Sequence, residues 1–183
     1  MIGDGARALV ARALASDGSV PHAHDAELLE RMVALFMRHY ADKPVVHTRL
    51  LPGAREALAL GLPKAVVTNK PREISVLVLE QLGIAGSFSA VFAGGDGPLK
   101  PSPHGVYEVV QKLGVQIDHA WLIGDGPQDV LAGRAAGCFT IAVPGIAERE
   151  RVLAAEPHLV VESLLDVARL ARDARGAGNV TSA

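Results

Sequence analysis

From about Thr48 onward, short apolar runs alternate with helical stretches of about ten residues, and this alternation limits the possible folds more than any other feature of the chain. Ala65-Val66-Val67-Thr68 stands between Pro63 and Asn69, too short for a helix, rich in β-branched residues and suited to a buried strand. A helix is expected from about Arg72 to Leu82, stopped by Gly83, followed by a strand from Ser89 to Ala93 and a loop rich in glycine and proline from Gly94 to Pro103. The next helix runs from His104 to Leu113, with Ser102 as its cap and Pro103 in its first turn. A strand Trp121 to Ile123, a helix Pro127 to Ala136 stopped by Gly137, strands Phe139 to Val143 and Leu159 to Val161, and a closing helix from Ser163 to Arg172 complete the order. Such a series builds right-handed βαβ units, so the expected fold class is α/β: a parallel sheet covered by helices on both faces.

The first 47 residues carry helical spacing and no strand. Asp4 can cap a helix through Ala6, Leu9, Val10, Ala13 and Leu14, which Ser16-Asp17-Gly18 stops, and a second helix follows Asp25 and ends before Pro44. The expected organisation is a helical unit over residues 1–47, an α/β core over 48–175 and a disordered tail over 176–183. With 49% apolar residues and 38 charged residues in 183, the chain is far too hydrophobic for intrinsic disorder. Its net charge of −2, with the 18 basic residues scattered, lacks the footprint of a nucleic-acid binder. Cys138 is the only cysteine, which excludes an internal disulfide or a zinc cluster and suits a reducing compartment. No signal peptide or membrane span is visible, and a cytoplasmic location is expected.

In open parallel sheets ligands meet the carboxyl ends of the strands, so the residues after each strand carry the chemistry. Thr68-Asn69-Lys70 offers a hydroxyl and an amide in an expected turn whose N–H groups are free to hold an anion. The loop Gly94 to Pro101 delivers Lys100, while Gly124-Asp125-Gly126-Pro127-Gln128-Asp129 places one carboxylate at a strand tip and another at a helix entrance. Singly, each has an ordinary structural role as strand end, solvated lysine or helix-dipole partner. A hydroxyl, a lysine and two carboxylates on one edge suit Mg²⁺ and a phosphoryl group, because magnesium prefers oxygen ligands and lysine offsets phosphate charge. His22 and His24 lack further ligands at metal spacing, and Gly97 to Ser102 fails as a phosphate-binding loop because two prolines remove N–H donors.

The series Val66-Val67-Thr68-Asn69-Lys70-Pro71, then Lys100-Pro101-Ser102-Pro103, then Ile123-Gly124-Asp125 with Asp129 and Arg134-Ala135-Ala136-Gly137, resembles the haloacid dehalogenase superfamily, in its phosphoglycolate phosphatase branch. The resemblance covers nearly the whole chain; residues 1–47 look like part of that branch's helical cap, and Leu51-Pro52-Gly53 like the return from cap to core. It implies a Rossmann-like core and a Mg²⁺-dependent phosphomonoesterase acting on a small phosphorylated metabolite such as 2-phosphoglycolate. Thr68 would hydrogen-bond the phosphoryl oxygens, Asn69 would add a contact, Lys100 would neutralise charge, and Asp125 and Asp129 would serve the metal, the first directly.

One departure is large. The family's reaction starts from an Asp nucleophile at the tip of a first, central strand, with a second Asp two residues on as acid and base. No Asp-x-Asp occurs in these 183 residues. The expectation is a chain without that strand, from an incomplete gene model, a cut within the cap or a degenerate copy. It would leave the strands ending at Thr68 and Gly124 with unpaired inner edges, or paired directly, and would have little or no activity alone. The alternative is a catalytically inactive module that binds phosphate through Thr68, Asn69 and Lys100.

Overall fold

The computed structural model describes residues 5–15, 26–143, 145 and 149–178. Two helices come first, α1 (Ala6–Ala15) and α2 (Ala26–Asp42), followed by the short α3 (Ala54–Leu58). The core then runs β1 (Ala65–Pro71), α4 (Arg72–Gln81), β2 (Ala90–Gly94), α5 (His104–Leu113), β3 (Trp121–Gly124), α6 (Pro127–Ala136), β4 (Phe139–Ala142), α7 (Arg149–Ala154), β5 (Leu159–Val160) and α8 (Leu164–Gly178). Asp4, the stop at Ser16-Asp17-Gly18, and His22 and His24 lie outside the described residues. No helix among the described residues is long and apolar enough to cross a membrane.

All observed strand pairs are parallel, and they form two sheets rather than one: β1 with β2, and β3-β4-β5. Among the described residues β1 has only β2 as a strand partner and β3 has only β4, so β1 and β3 do not pair with each other. Helix packing holds the two sheets together. Val109 of α5 sits on Ala90 and Phe92 of β2 and on Val67 of β1. Val106 and Val110, on the neighbouring stripe of the same helix, pack on Ala132 and Ala136 of α6 and reach Leu122 of β3. Small residues on α6 let the two helices approach closely, and α5 thereby spans the division between the sheets.

Coverage by helices is incomplete. Ile123 of β3 is 39% exposed and Trp121 37%, a partly open face on the edge strand of its sheet, where helices on both faces were expected. On α2, Leu28, Met32 and Leu35 form an exposed stripe. A side-chain tie joins two strands of the second sheet. Thr140, fully buried in β4, donates its backbone N–H to His158 Nδ1 at 3.0 Å, and its Oγ1 accepts the His158 N–H at 3.1 Å, pinning the entry to β5.

Two boundaries differ by more than a residue from the sequence reading, and one helix is additional. β1 continues through Asn69, Lys70 and Pro71, because Pro71 regains register opposite Gly94 after an irregularity that begins at Val67. α8 runs on to Gly178, so the expected tail begins as helix; residues 179–183 are outside the described set. α7 was not foreseen.

The return from α2 to the core depends on Gly53. It stands before α3 at φ 81°, and a Cβ there would lie 2.0 Å from the backbone nitrogen of Leu165 in α8. Gly53→Ala is therefore expected to lower stability by about 2–4 kcal/mol, combining left-handed strain with a backbone overlap. Urea unfolding, read as a shift in midpoint at constant slope, checks this.

Candidate active site

At the carboxyl end of β1 the backbone and side chains are already engaged with one another. The Lys70 N–H donates to Thr68 Oγ1 at 3.1 Å, which corrects the expectation of a turn with free N–H groups: the segment is irregular strand and one donor is taken by the threonine. Asn69 is 6% exposed. Its Oδ1 accepts the Lys100 N–H at 2.7 Å while its Nδ2 donates to the Lys100 carbonyl at 2.9 Å, so the amide grips both backbone groups of Lys100. Asn69 thus places Lys100, a role its position beside Thr68 did not announce.

Lys100, joined to Pro101 by a cis peptide bond, turns its side chain back across the sheet ends. Nζ donates to the Val67 carbonyl of β1 at 2.7 Å and lies 2.5 Å from Asp129 Oδ1 at the entrance of α6. The pair is largely buried, with the two side chains 12% and 14% exposed. The second carboxylate oxygen of Asp129 accepts the Gly126 N–H at 3.0 Å, capping α6. Its carboxylate folds back over Gly124, where a Cβ would fall 2.2 Å from Asp129 Cγ; only glycine leaves room for it. Asp125, between the two glycines, is exposed at the tip of β3.

The structure therefore brings Asn69, Lys100 and Asp129 into direct contact, and sets Thr68 where the irregular second half of β1 begins and Asp125 just past the end of β3. No group of three or more His, Cys, Asp or Glu residues among the described residues is clustered to hold a metal. Asp96, in the loop after β2, is committed elsewhere: it pairs with Arg72 and accepts the Ala93 N–H at 2.7 Å. The hydrogen bond from Arg72 holds its carboxyl below the usual carboxylate range. Two residues had no role assigned from sequence. Lys70 of β1 contacts Tyr40 Oη of α2, its Nζ 4.7 Å from the centre of that ring. Thirty positions separate the two, and nothing in local spacing signals the contact.

A cavity of about 300 Å³ lies at the other end of the strands, lined by Asp118, Arg134, Cys138, Phe139 and His158. Arg134 there donates to the Glu156 carbonyl at 2.7 Å, and burial pushes the Cys138 thiol up, keeping it protonated at neutral pH. Strand tips at the carboxyl edge remain the better candidate because they gather the polar groups.

Because Lys100 and Asp129 shield each other's charge away from water, removing either leaves the other uncompensated. Lys100→Met and Asp129→Asn are each expected to cost about 2–4 kcal/mol. A double-mutant cycle by urea unfolding should return a coupling of about 1–3 kcal/mol.

A sequence model of the haloacid dehalogenase-like hydrolases matches residues 1–137. The chain is 36% identical to a phosphoglycolate phosphatase of Neisseria meningitidis over 147 residues, covering 78% of this chain and 62% of that protein. The Chromobacterium violaceum phosphoglycolate phosphatase is 38% identical over 148 residues, with 78% and 65% covered. That of Yersinia pseudotuberculosis is 34% identical over 172 residues, with 91% and 73% covered. The match thus spans less than two thirds of the length of the first two. A crystal structure from Lactobacillus delbrueckii subsp. bulgaricus superposes with a TM-score of 0.80 at 26% identity, covering 92% of this chain and 79% of that one. Three strand-end motifs in order, the parallel α/β core and a family match across three quarters of its length lead to one conclusion: the chain belongs to the haloacid dehalogenase-like hydrolases.

Proposed function

We propose that this chain carries the phosphate- and metal-binding half of a phosphomonoesterase of the phosphoglycolate phosphatase type, acting on a small phosphorylated metabolite such as 2-phosphoglycolate in the cytoplasm. The observation that carries the reading is Lys100, held by Asn69 on its backbone and by Val67 and Asp129 on its ammonium, next to Thr68 of β1 in the chain's strand-end set. A lysine so placed is a fixed positive charge at a strand edge, suited to offset the charge of a phosphoryl group. Thr68 contributes a hydroxyl, which accepts from Lys70 and keeps its own proton to donate to a phosphoryl oxygen.

The donor set fits Mg²⁺ in part. Asp125 is an exposed carboxylate at the tip of β3 and would bind the ion directly. Asp129, engaged by Lys100 and by the Gly126 N–H, would support it through water. Magnesium commonly takes one or two carboxylates and completes its shell with waters and phosphate oxygens. When bound, it would draw charge from the phosphoryl group and align it.

The family resemblance implies an aspartyl-phosphate route, and these 183 residues contain no Asp-x-Asp to begin it. Thr68 and Lys100 accordingly bind and orient the ester, with Asn69 holding Lys100 in place and Asp125 serving the metal, while the attacking carboxylate is not assigned to this chain. The same absence favours a second reading, a phosphate-binding regulatory module without turnover. Calorimetry and phosphate release separate the outcomes. The purified chain is expected to bind inorganic phosphate in a Mg²⁺-dependent manner, with release from 2-phosphoglycolate at the blank rate. Lys100→Ala should weaken phosphate binding about tenfold or more. Asp125→Asn should abolish the Mg²⁺ dependence. Absence of phosphate binding would overturn the site, and Mg²⁺-dependent turnover lost in both variants would overturn the view that an Asp-x-Asp is indispensable.

A further inference from the structure

Three basic side chains near the strand ends and the helical layer meet a carboxylate: Lys100 meets Asp129, Arg72 meets Asp96, and Arg7 of α1 meets Glu30 of α2. Lys70 is different. It is half-buried at the end of β1, and its side-chain partner is Tyr40 of α2, through the phenolic oxygen and the ring face. No acidic side chain pairs with it among the described residues. An ammonium drawn partly out of water without a counter-ion is an unbalanced charge, which an anion arriving from solution would balance. The neighbouring phenol accepts the lysine proton and keeps its own O–H, which adds a second donor. Together they present an N–H and an O–H donor, a combination suited to the two oxygens of a carboxylate.

The placement relates this pair to the phosphate site. Lys70 follows Thr68 by two residues, at most about 6–7 Å along this irregular stretch of β1, a span that a phosphoryl group joined to a carboxylate through one or two carbons can bridge. The helical layer also closes on this point, since the start of α1 at Gly5 lies against Leu99 and the Asn69 carbonyl. We propose that Lys70, with Tyr40, is the specificity-determining pair that receives the carboxylate of a short phosphorylated carboxylic acid whose phosphoryl group sits at Thr68 and Lys100. This rests on the phosphate site proposed above.

The test is calorimetry in Mg²⁺ with three probes: 2-phosphoglycolate, ethyl phosphate, which has a neutral stem of similar size, and inorganic phosphate. The parent chain is expected to bind 2-phosphoglycolate about tenfold or more tightly than ethyl phosphate. Lys70→Met should erase that preference while leaving the affinity for inorganic phosphate within about twofold, and Lys70→Arg should restore most of it. A merely structural clasp between α2 and β1 would instead lower binding of all three probes together or leave the preference intact, and either result overturns the proposal. Equal affinity of the parent chain for 2-phosphoglycolate and ethyl phosphate overturns it without any variant. If no probe binds, the phosphate site itself is wrong; if inorganic phosphate binds but the preference is absent, only the role of Lys70 is lost.

Discussion

The contact between Lys100 and Asp129 does more than pair two charges. Lys100 belongs to the loop leaving β2 and Asp129 to the helix leaving β3, so the pair joins the two sheets at their carboxyl ends, where no strand-to-strand hydrogen bond does so among the described residues. The third bond of the set, from Nζ to the Val67 carbonyl, brings β1 into the same junction. Each of these charges is compensated by the other away from water, so the junction depends on each member being present. Asn69 and Gly124 are its supports: one grips the backbone of Lys100, and the other leaves the space that the Asp129 carboxylate occupies.

The division of the sheet explains why this junction carries so much. Between β1 and β3 the usual ladder is replaced by side-chain packing of α5, whose adjacent stripes face both sheets. Packing of that kind is non-directional and fixes separation better than register. A directional polar clamp at one end adds the alignment that packing lacks, and the site's geometry follows from it.

Much of the core was readable in the sequence because its signals are local. Val66 and Val67, the Trp121 to Ile123 run and the Pro127 to Ala136 helix declare themselves through β-branching, length and a proline start. What escaped is what tertiary contact decides. β1 extends over Asn69, Lys70 and Pro71, poor strand formers, because Gly94 of the neighbouring strand receives them. α7 has six residues, too few for a periodic pattern to stand out. α8 carries on through Gly176 to Gly178 where glycine and polarity pointed to disorder. For the site, residue types marked Thr68, Asn69, Lys100, Asp125 and Asp129, but not how they divide the work. That Asn69 positions Lys100, that Asp129 is spent on Lys100 and a helix cap, and that Tyr40 meets Lys70 are facts of distance between segments far apart in the chain.

One edge of the molecule should take phosphate and magnesium together. Amide chemical-shift mapping during titration with phosphate and Mg²⁺ reads this residue by residue. The largest changes should be confined to Thr68, Asn69, Lys100 and the stretch Gly124 to Gly126. Changes centred on the cavity of Arg134, Cys138 and His158 at the opposite end of the strands, or none at all, would contradict it.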